Sequence, residues 1–165
     1  MVDEVDFNSV DQMETALKTT DYSALIMEPI MGNAGVINPD DGYIETVREL
    51  TERYGTILIM DEVITGYRTA FSPFYMKKKI EPDLVTLGKI VGGGLPLAVY
   101  GGKEEIMKHV KPSGNFPQAG TYSGNPLSVT AGLETLKILK NEDYGALRHL
   151  TEVASRKLEE LLYML

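Results

Sequence analysis

Lys89 stands in the run Leu84-Val85-Thr86-Leu87-Gly88-Lys89-Ile90-Val91-Gly92-Gly93-Gly94-Leu95-Pro96, an amine among apolar neighbours with a glycine-rich turn after it. A buried-looking lysine is poorly solvated as an ammonium, so it is expected to offer a nucleophilic free amine near neutral pH. Such an amine can condense with an aldehyde to form a Schiff base. Upstream, Thr56-Ile57-Leu58-Ile59-Met60 runs straight into Asp61 and Glu62. An unbroken apolar run of this length predicts a strand buried on both faces, as in a parallel sheet, with the acid at its carboxyl end.

Ligands of open α/β sheets bind at the carboxyl ends of the strands. Lys89 follows Asp61 by 28 positions, room for a helical crossover to another parallel strand. Both groups can therefore face one crevice. A carboxylate and a Schiff-base lysine around one ligand suit pyridoxal phosphate, whose ring nitrogen an acid keeps protonated while a lysine holds the aldehyde carbon.

Blander readings compete with this one. A lone lysine in an apolar stretch is often a surface residue whose stem lies across its neighbours. Gly92, Gly93 and Gly94 tip the balance, because they let backbone turn sharply or approach a ligand. The strand-plus-acid pattern also occurs in nucleotide hydrolases, but that reading needs G-x-x-x-x-G-K-[S/T], and Gly88-Lys89 is followed by Ile90. Glu28 and Arg68 are candidate substrate groups, although charged residues at strand ends often only pair with one another or cap helices. Glu62 reads as structural. His109 and His149 lack metal-ligand spacing and read as surface residues.

Four segments carry a family likeness: Glu28-Pro29-Ile30-Met31-Gly32-Asn33-Ala34-Gly35, Asp61-Glu62-Val63-Ile64-Thr65-Gly66-Tyr67-Arg68, Pro82-Asp83-Leu84-Val85-Thr86-Leu87-Gly88-Lys89 and Gly120-Thr121-Tyr122-Ser123-Gly124-Asn125-Pro126. In this order they resemble the signatures of class III aminotransferases, over residues 23–139. The resemblance implies that Lys89 is the lysine that anchors pyridoxal phosphate and moves protons. It implies that Asp61 holds the pyridine nitrogen protonated and that Val63, two residues on and so on the same side of an extended chain, packs under the ring. Thr121 resembles the threonine that reaches the cofactor phosphate of a partner subunit, which implies a homodimer.

Within the family, relatives that use 2-oxoglutarate read Q-G-E-A-G where this chain has residues 31–35, and carry glutamine where it has Ile64. Asn33 and Ile64 instead match the aminomutases, which isomerise an amino-aldehyde and need no external amino acceptor. That likeness gives Asn33 a hydrogen bond to the cofactor's phenolic oxygen and implies a cycle through the pyridoxamine form. Other class III aminotransferases and some racemases share much of the pattern. A non-catalytic remnant acting by association is the alternative from outside the enzymes, since an exposed half-sheet attracts partners.

A chain of 165 residues is long enough for one domain with a core. With 43% hydrophobic and 24% charged residues it has an ordinary globular composition. A net charge of −8 disfavours nucleic acid, and Lys77-Lys78-Lys79 is one short solvated run rather than a basic face. The chain has no cysteine, hence no disulfide framework and no thiolate zinc site. No apolar run approaches the ~20 residues needed to span a bilayer, and the acidic N-terminus is unlike a basic targeting segment. Cytoplasm is the expected location.

To position these residues, the pattern predicts helices over 8–19, capped by Asn8-Ser9, and over 40–54, with Ile44, Val47 and Leu50 on one face. Strands are predicted at 23–27, 56–61, 84–87 and 97–100, with turns at Pro73, Pro82 and Pro96. Helices over 126–140 and 144–165 close the chain. That order predicts a three-layer α/β protein with a mostly parallel sheet. The resemblance makes it part of the large domain of fold type I pyridoxal-phosphate enzymes: residues 1–140 as the second half of that domain, 141–165 as a helix leading toward a C-terminal domain. Family members have well over twice this length. The chain is therefore expected to be a fragment or truncated form, with the phosphate cradle and the C-terminal substrate groups outside it.

Overall fold

The computed structural model describes residues 2–19 and 21–163. Its sheet has four strands in chain order, β1 (Ala24–Met27), β2 (Ile57–Glu62), β3 (Leu84–Leu87) and β4 (Val99–Gly102). β1, β2 and β3 are parallel, and β4 pairs antiparallel with β3 at the edge. The mostly parallel α/β sheet expected from the sequence is present.

The crossover from β1 to β2 is made by α2 (Tyr43–Tyr54), which ends at Gly55, a left-handed residue with φ 69° whose amide returns to the Thr51 and Glu52 carbonyls. Only glycine takes that turn without a β-carbon penalty. Tyr43, Ile44, Val47 and Leu50 form the buried stripe of α2 and meet α1 (Val10–Thr19) through Met13 and Leu17. Both helices cover the face of β2 that carries Leu58 and Met60, each with 0% exposure. Each such side chain contributes roughly 1.5–3 kcal/mol.

The opposite face of β2, carrying Ile57, Ile59 and Asp61, is half-buried, so the strand is not buried on both sides as its unbroken apolar run suggested. α1 and α2 pack on one side only, and Ile26 of β1 stays 64% exposed. The helix expected to begin at Asn8 starts at Val10. Ser9 Oγ accepts from the Gln12 amide at 3.4 Å, while Asn8, at φ 68°, instead links its side chain to Asn38 and Asp40.

Four further helices follow among the described residues. α3 (Phe74–Lys78) and α4 (Glu104–Met107) are single turns, and α5 (Pro126–Leu139) is capped by the Asn125 side chain. α6 (Tyr144–Leu162) has no buried residue; the last two residues of the helix expected over 144–165 lie outside the described residues. Tyr144 ties its start to the loop after β2 by donating to the Tyr67 carbonyl at 3.0 Å.

Candidate active site

The carboxyl ends of β2 and β3 are neighbours, and their register sets Asp61 opposite Thr86 and Glu62 opposite Leu87. Successive side chains of a strand point to opposite faces, which separates the two acids. Asp61 lies on the half-buried face, where its Oδ1 accepts from the Val63 amide at 3.0 Å and from Thr86 Oγ1 at 3.3 Å. Glu62, with 0% exposure, turns to the other side. Its oxygens accept from Thr65 Oγ1 at 3.1 Å and from the Phe74 and Tyr75 amides at 2.6 and 2.7 Å. Those amides open α3, so Glu62 ties the end of β2 to that helix. Burial lifts its carboxyl above the usual range, against the three hydrogen bonds that pull it down. The structural reading of Glu62 holds.

Lys89 follows β3 after one residue, Gly88, as the first residue of a 3-10 turn, Lys89–Gly92. Val63 packs against Gly88, where an added β-carbon would stand 3.2 Å from Val63 Cγ1. The end of β2 and the lysine turn are thus in contact. Lys89 has φ 46°, in the left-handed region, which costs a non-glycine residue on the order of 1–2 kcal/mol. Such strain persists where surrounding structure imposes it.

One expectation is corrected here: the Lys89 side chain is exposed, not buried. Its apolar neighbour Val91 is 3% exposed and sets its carbonyl against Gly132 of α5, so the turn is packed on that helix while the amine stays open.

The remaining segments are arranged less tightly. Gly32 lies against Ile64, with an added β-carbon 2.8 Å from Ile64 Cδ1, and Glu28 accepts from the Gly32 amide at 3.1 Å. The turn bearing Asn33 is therefore set beside the end of β2, with Asn33 exposed. Thr121 is exposed in the turn closed by Ser123 N and the Gly120 carbonyl. Among the described residues no hydrogen bond joins it to Asp61 or Lys89. Arg68, His109 and His149 are exposed. Among the described residues no group of three or more His, Cys, Asp or Glu side chains could hold a metal ion. An open groove lined by Tyr75, Ile80, Leu84 and Gly102 includes none of the expected site residues.

Two residues of the shared motifs have roles the sequence did not assign. Thr86 anchors Asp61, through a strand register that a single sequence does not display. Asp83, 8% exposed, precedes β3 and accepts from the Leu58 amide at 2.7 Å, Arg48 Nη1 at 2.8 Å and Lys103 Nζ at 2.7 Å. It joins α2, β2, β3 and the residue after β4 at the end of the sheet opposite the lysine. Burial alone would raise its carboxyl, but hydrogen bonds from Lys103, Arg48 and the Leu58 amide bring it down from 3.8 to about 2. Its signal in sequence is an acid set between apolar Ile80 and Leu84, a burial that requires paired cations.

Residues 3–164 match the family described as Aminotransferase class-III. The chain is 51% identical over 140 residues to glutamate-1-semialdehyde 2,1-aminomutase of Thermoplasma volcanium, covering 85% of this chain and 33% of the relative. The enzyme of the same name from Natranaerobius thermophilus is 48% identical over 140 residues, covering 84% and 33%. Among solved structures, ornithine aminotransferase from Plasmodium yoelii superposes with a TM-score of 0.74 at 33% identity, over 83% of this chain and 36% of that one. An omega-transaminase from Sphaerobacter thermophilus gives 0.76 at 31% identity, over 82% and 32%. The chain spans about a third of the length of the curated relatives it matches.

Proposed function

The chain belongs to the class-III aminotransferases, and from that premise we propose that it is the part of a glutamate-1-semialdehyde 2,1-aminomutase that carries the lysine and the ring acid of a pyridoxal-phosphate site. The observation that carries this reading is the pairing of Asp61 and Lys89 at the ends of adjacent parallel strands, in a chain half identical to aminomutases over most of its length. The residues fit the cofactor: a carboxylate fixed by two donors, a reachable amine one strand away, and Val63 between them against the lysine turn.

Pyridoxal phosphate, when bound, supplies an electron sink and an amine carrier. Lys89 would hold the cofactor through Nζ and would carry protons on that atom during the reaction. Asp61 keeps the ring nitrogen protonated, a carboxylate beside a cation being favoured in its ionised form. Val63 would pack against the ring, and Asn33 would donate to the phenolic oxygen. Thr121 serves the cofactor phosphate of the partner subunit in a homodimer.

Residues 1–140 form the second half of the large domain, and 141–165 lead toward a C-terminal domain. The product is 5-aminolevulinate, a tetrapyrrole precursor formed with no net gain or loss of an amino group. Cytoplasm is the proposed compartment; no helix of the described residues is long and apolar enough to cross a membrane.

The test is an assay of the full-length protein with glutamate-1-semialdehyde and no 2-oxo acid. Formation of 5-aminolevulinate is expected. Turnover that appears only when 2-oxoglutarate is added would assign the chain to the acceptor-dependent aminotransferases instead.

A further inference from the structure

α5 has fourteen residues, and of these only Ser128 and Gly132 are buried. Both belong to a face of small residues, completed by Ala131 and Thr135 at helical spacing. That face meets the turn that begins with Lys89. The backbone of Gly132 approaches the Val91 carbonyl oxygen more closely than any β-carbon would tolerate. Gly93 returns the contact from the turn: at φ 59°, an added β-carbon would stand 2.6 Å from the Ala131 carbonyl oxygen and would overlap Thr135 Oγ1. Main chain lies on main chain at both points, with the Thr135 hydroxyl and Leu97 Cδ2 packed beside the two contacts, so a shift has little room.

We infer that the small-residue face of α5 is a positioning surface for Lys89, holding the turn so that the left-handed backbone of Lys89 persists and its amine emerges beside the end of β2. The inference rests on the reading of Lys89 as the cofactor lysine. Nothing in the sequence of the turn itself favours a left-handed lysine; the support comes from a helix some forty residues later, joined to the turn through two glycines.

Limited reductive amination of the full-length protein with pyridoxal phosphate and cyanoborohydride tests this. Peptide mass spectrometry reads the ratio of modified Lys89 to modified Lys108, an exposed lysine after α4. Gly132→Ala drives a methyl into the Val91 carbonyl, Thr135→Ala removes the hydroxyl beside Gly93, and Leu133→Ala alters the 51% exposed side of the same helix. Folding of each variant is checked by circular dichroism and thermal melting.

Because an ångström of misplacement costs on the order of a hundredfold in rate, Gly132→Ala is expected to lower the ratio about tenfold and Thr135→Ala about threefold, with Leu133→Ala unchanged. If Gly132→Ala does not fold, Thr135→Ala decides alone. A wild-type protein that labels Lys89 no better than Lys108 would sink the reading of Lys89 itself. A wild-type preference kept intact by the folded variants would overturn the role of α5 and leave Lys89 standing.

Discussion

Asp61 and Glu62 are neighbours in the chain and do opposite work in the fold. The alternation of a strand sends Asp61 to the half-buried face and Glu62 into the core, so the first can meet a ligand and the second holds α3. This division was legible in the sequence, because it needs only a strand and its period of two. The exposure of Lys89 was not legible. Ile90 and Val91 look like a wall around the amine, yet Val91 is drawn to α5, and the left-handed backbone of Lys89 has no local cause. The two acids should therefore separate in experiment. Glu62→Gln is expected to lower stability by about 1–3 kcal/mol, since one acceptor of buried amides becomes a donor. Asp61→Asn is expected to leave the melting temperature nearly unchanged while weakening cofactor affinity and turnover far more. Denaturant titration and cofactor binding on the pair measure this, and equal effects on both readouts would mean that the side-chain directions at the end of β2 are wrong.

At the scale of elements, strands and long helices were found where periodicity placed them, and the errors have physical reasons. The last strand is Val99–Gly102 instead of 97–100 because Leu97 packs on Gly132, and the ladder is completed by Gly101 and Gly102, residues with little preference for strand. α3 exists because Glu62 caps it, a contact between positions twelve and thirteen residues apart. The Asp83 junction depends on three other elements and could not be read from one chain. Its carboxyl is depressed in the folded state, so its contribution is fully present above the ordinary carboxylate range and is lost as pH falls from about 4 toward about 2. A depression from 3.8 to about 2 corresponds to roughly 2 kcal/mol. Asp83→Asn also takes a charged partner from Arg48, which keeps only Glu52 at 3.1 Å among the described residues, at a cost of about 1–3 kcal/mol near neutral pH. Acid titration of stability should show the wild type losing stability between pH 4 and 2 more steeply than the variant; parallel curves would remove Asp83 as the source.

For the whole molecule, the apolar side chains left outside the core are as informative as those within it. α6 exposes Leu147, Leu150, Leu158, Leu161 and Leu162, and α5 exposes Leu127, Leu133 and Ile138. A single sequence does not say what meets these apolar sides, and the match covers only a third of the curated relatives. The 165-residue chain by itself is expected to bind pyridoxal phosphate weakly and to release no 5-aminolevulinate. Asp61 and Lys89 can hold the ring, whereas a phosphate left to water gains little. Calorimetric titration of the chain with the cofactor, followed by a product assay, checks this; turnover by the chain alone would mean that the site is already sufficient.

The proposed chemistry depends on Lys89 as the amine that holds the cofactor and moves the protons. Its most direct test is Lys89→Ala in the full-length protein, read by borohydride reduction in the presence of pyridoxal phosphate together with turnover of glutamate-1-semialdehyde. The variant is expected to lose the reduced cofactor adduct and to lose turnover by a factor of about a hundred to ten thousand, the usual worth of a positioned acid–base group, with an unchanged melting temperature because the side chain is exposed. A variant that still retains a borohydride-reducible cofactor adduct and still turns over would contradict it, and would assign the role to another lysine.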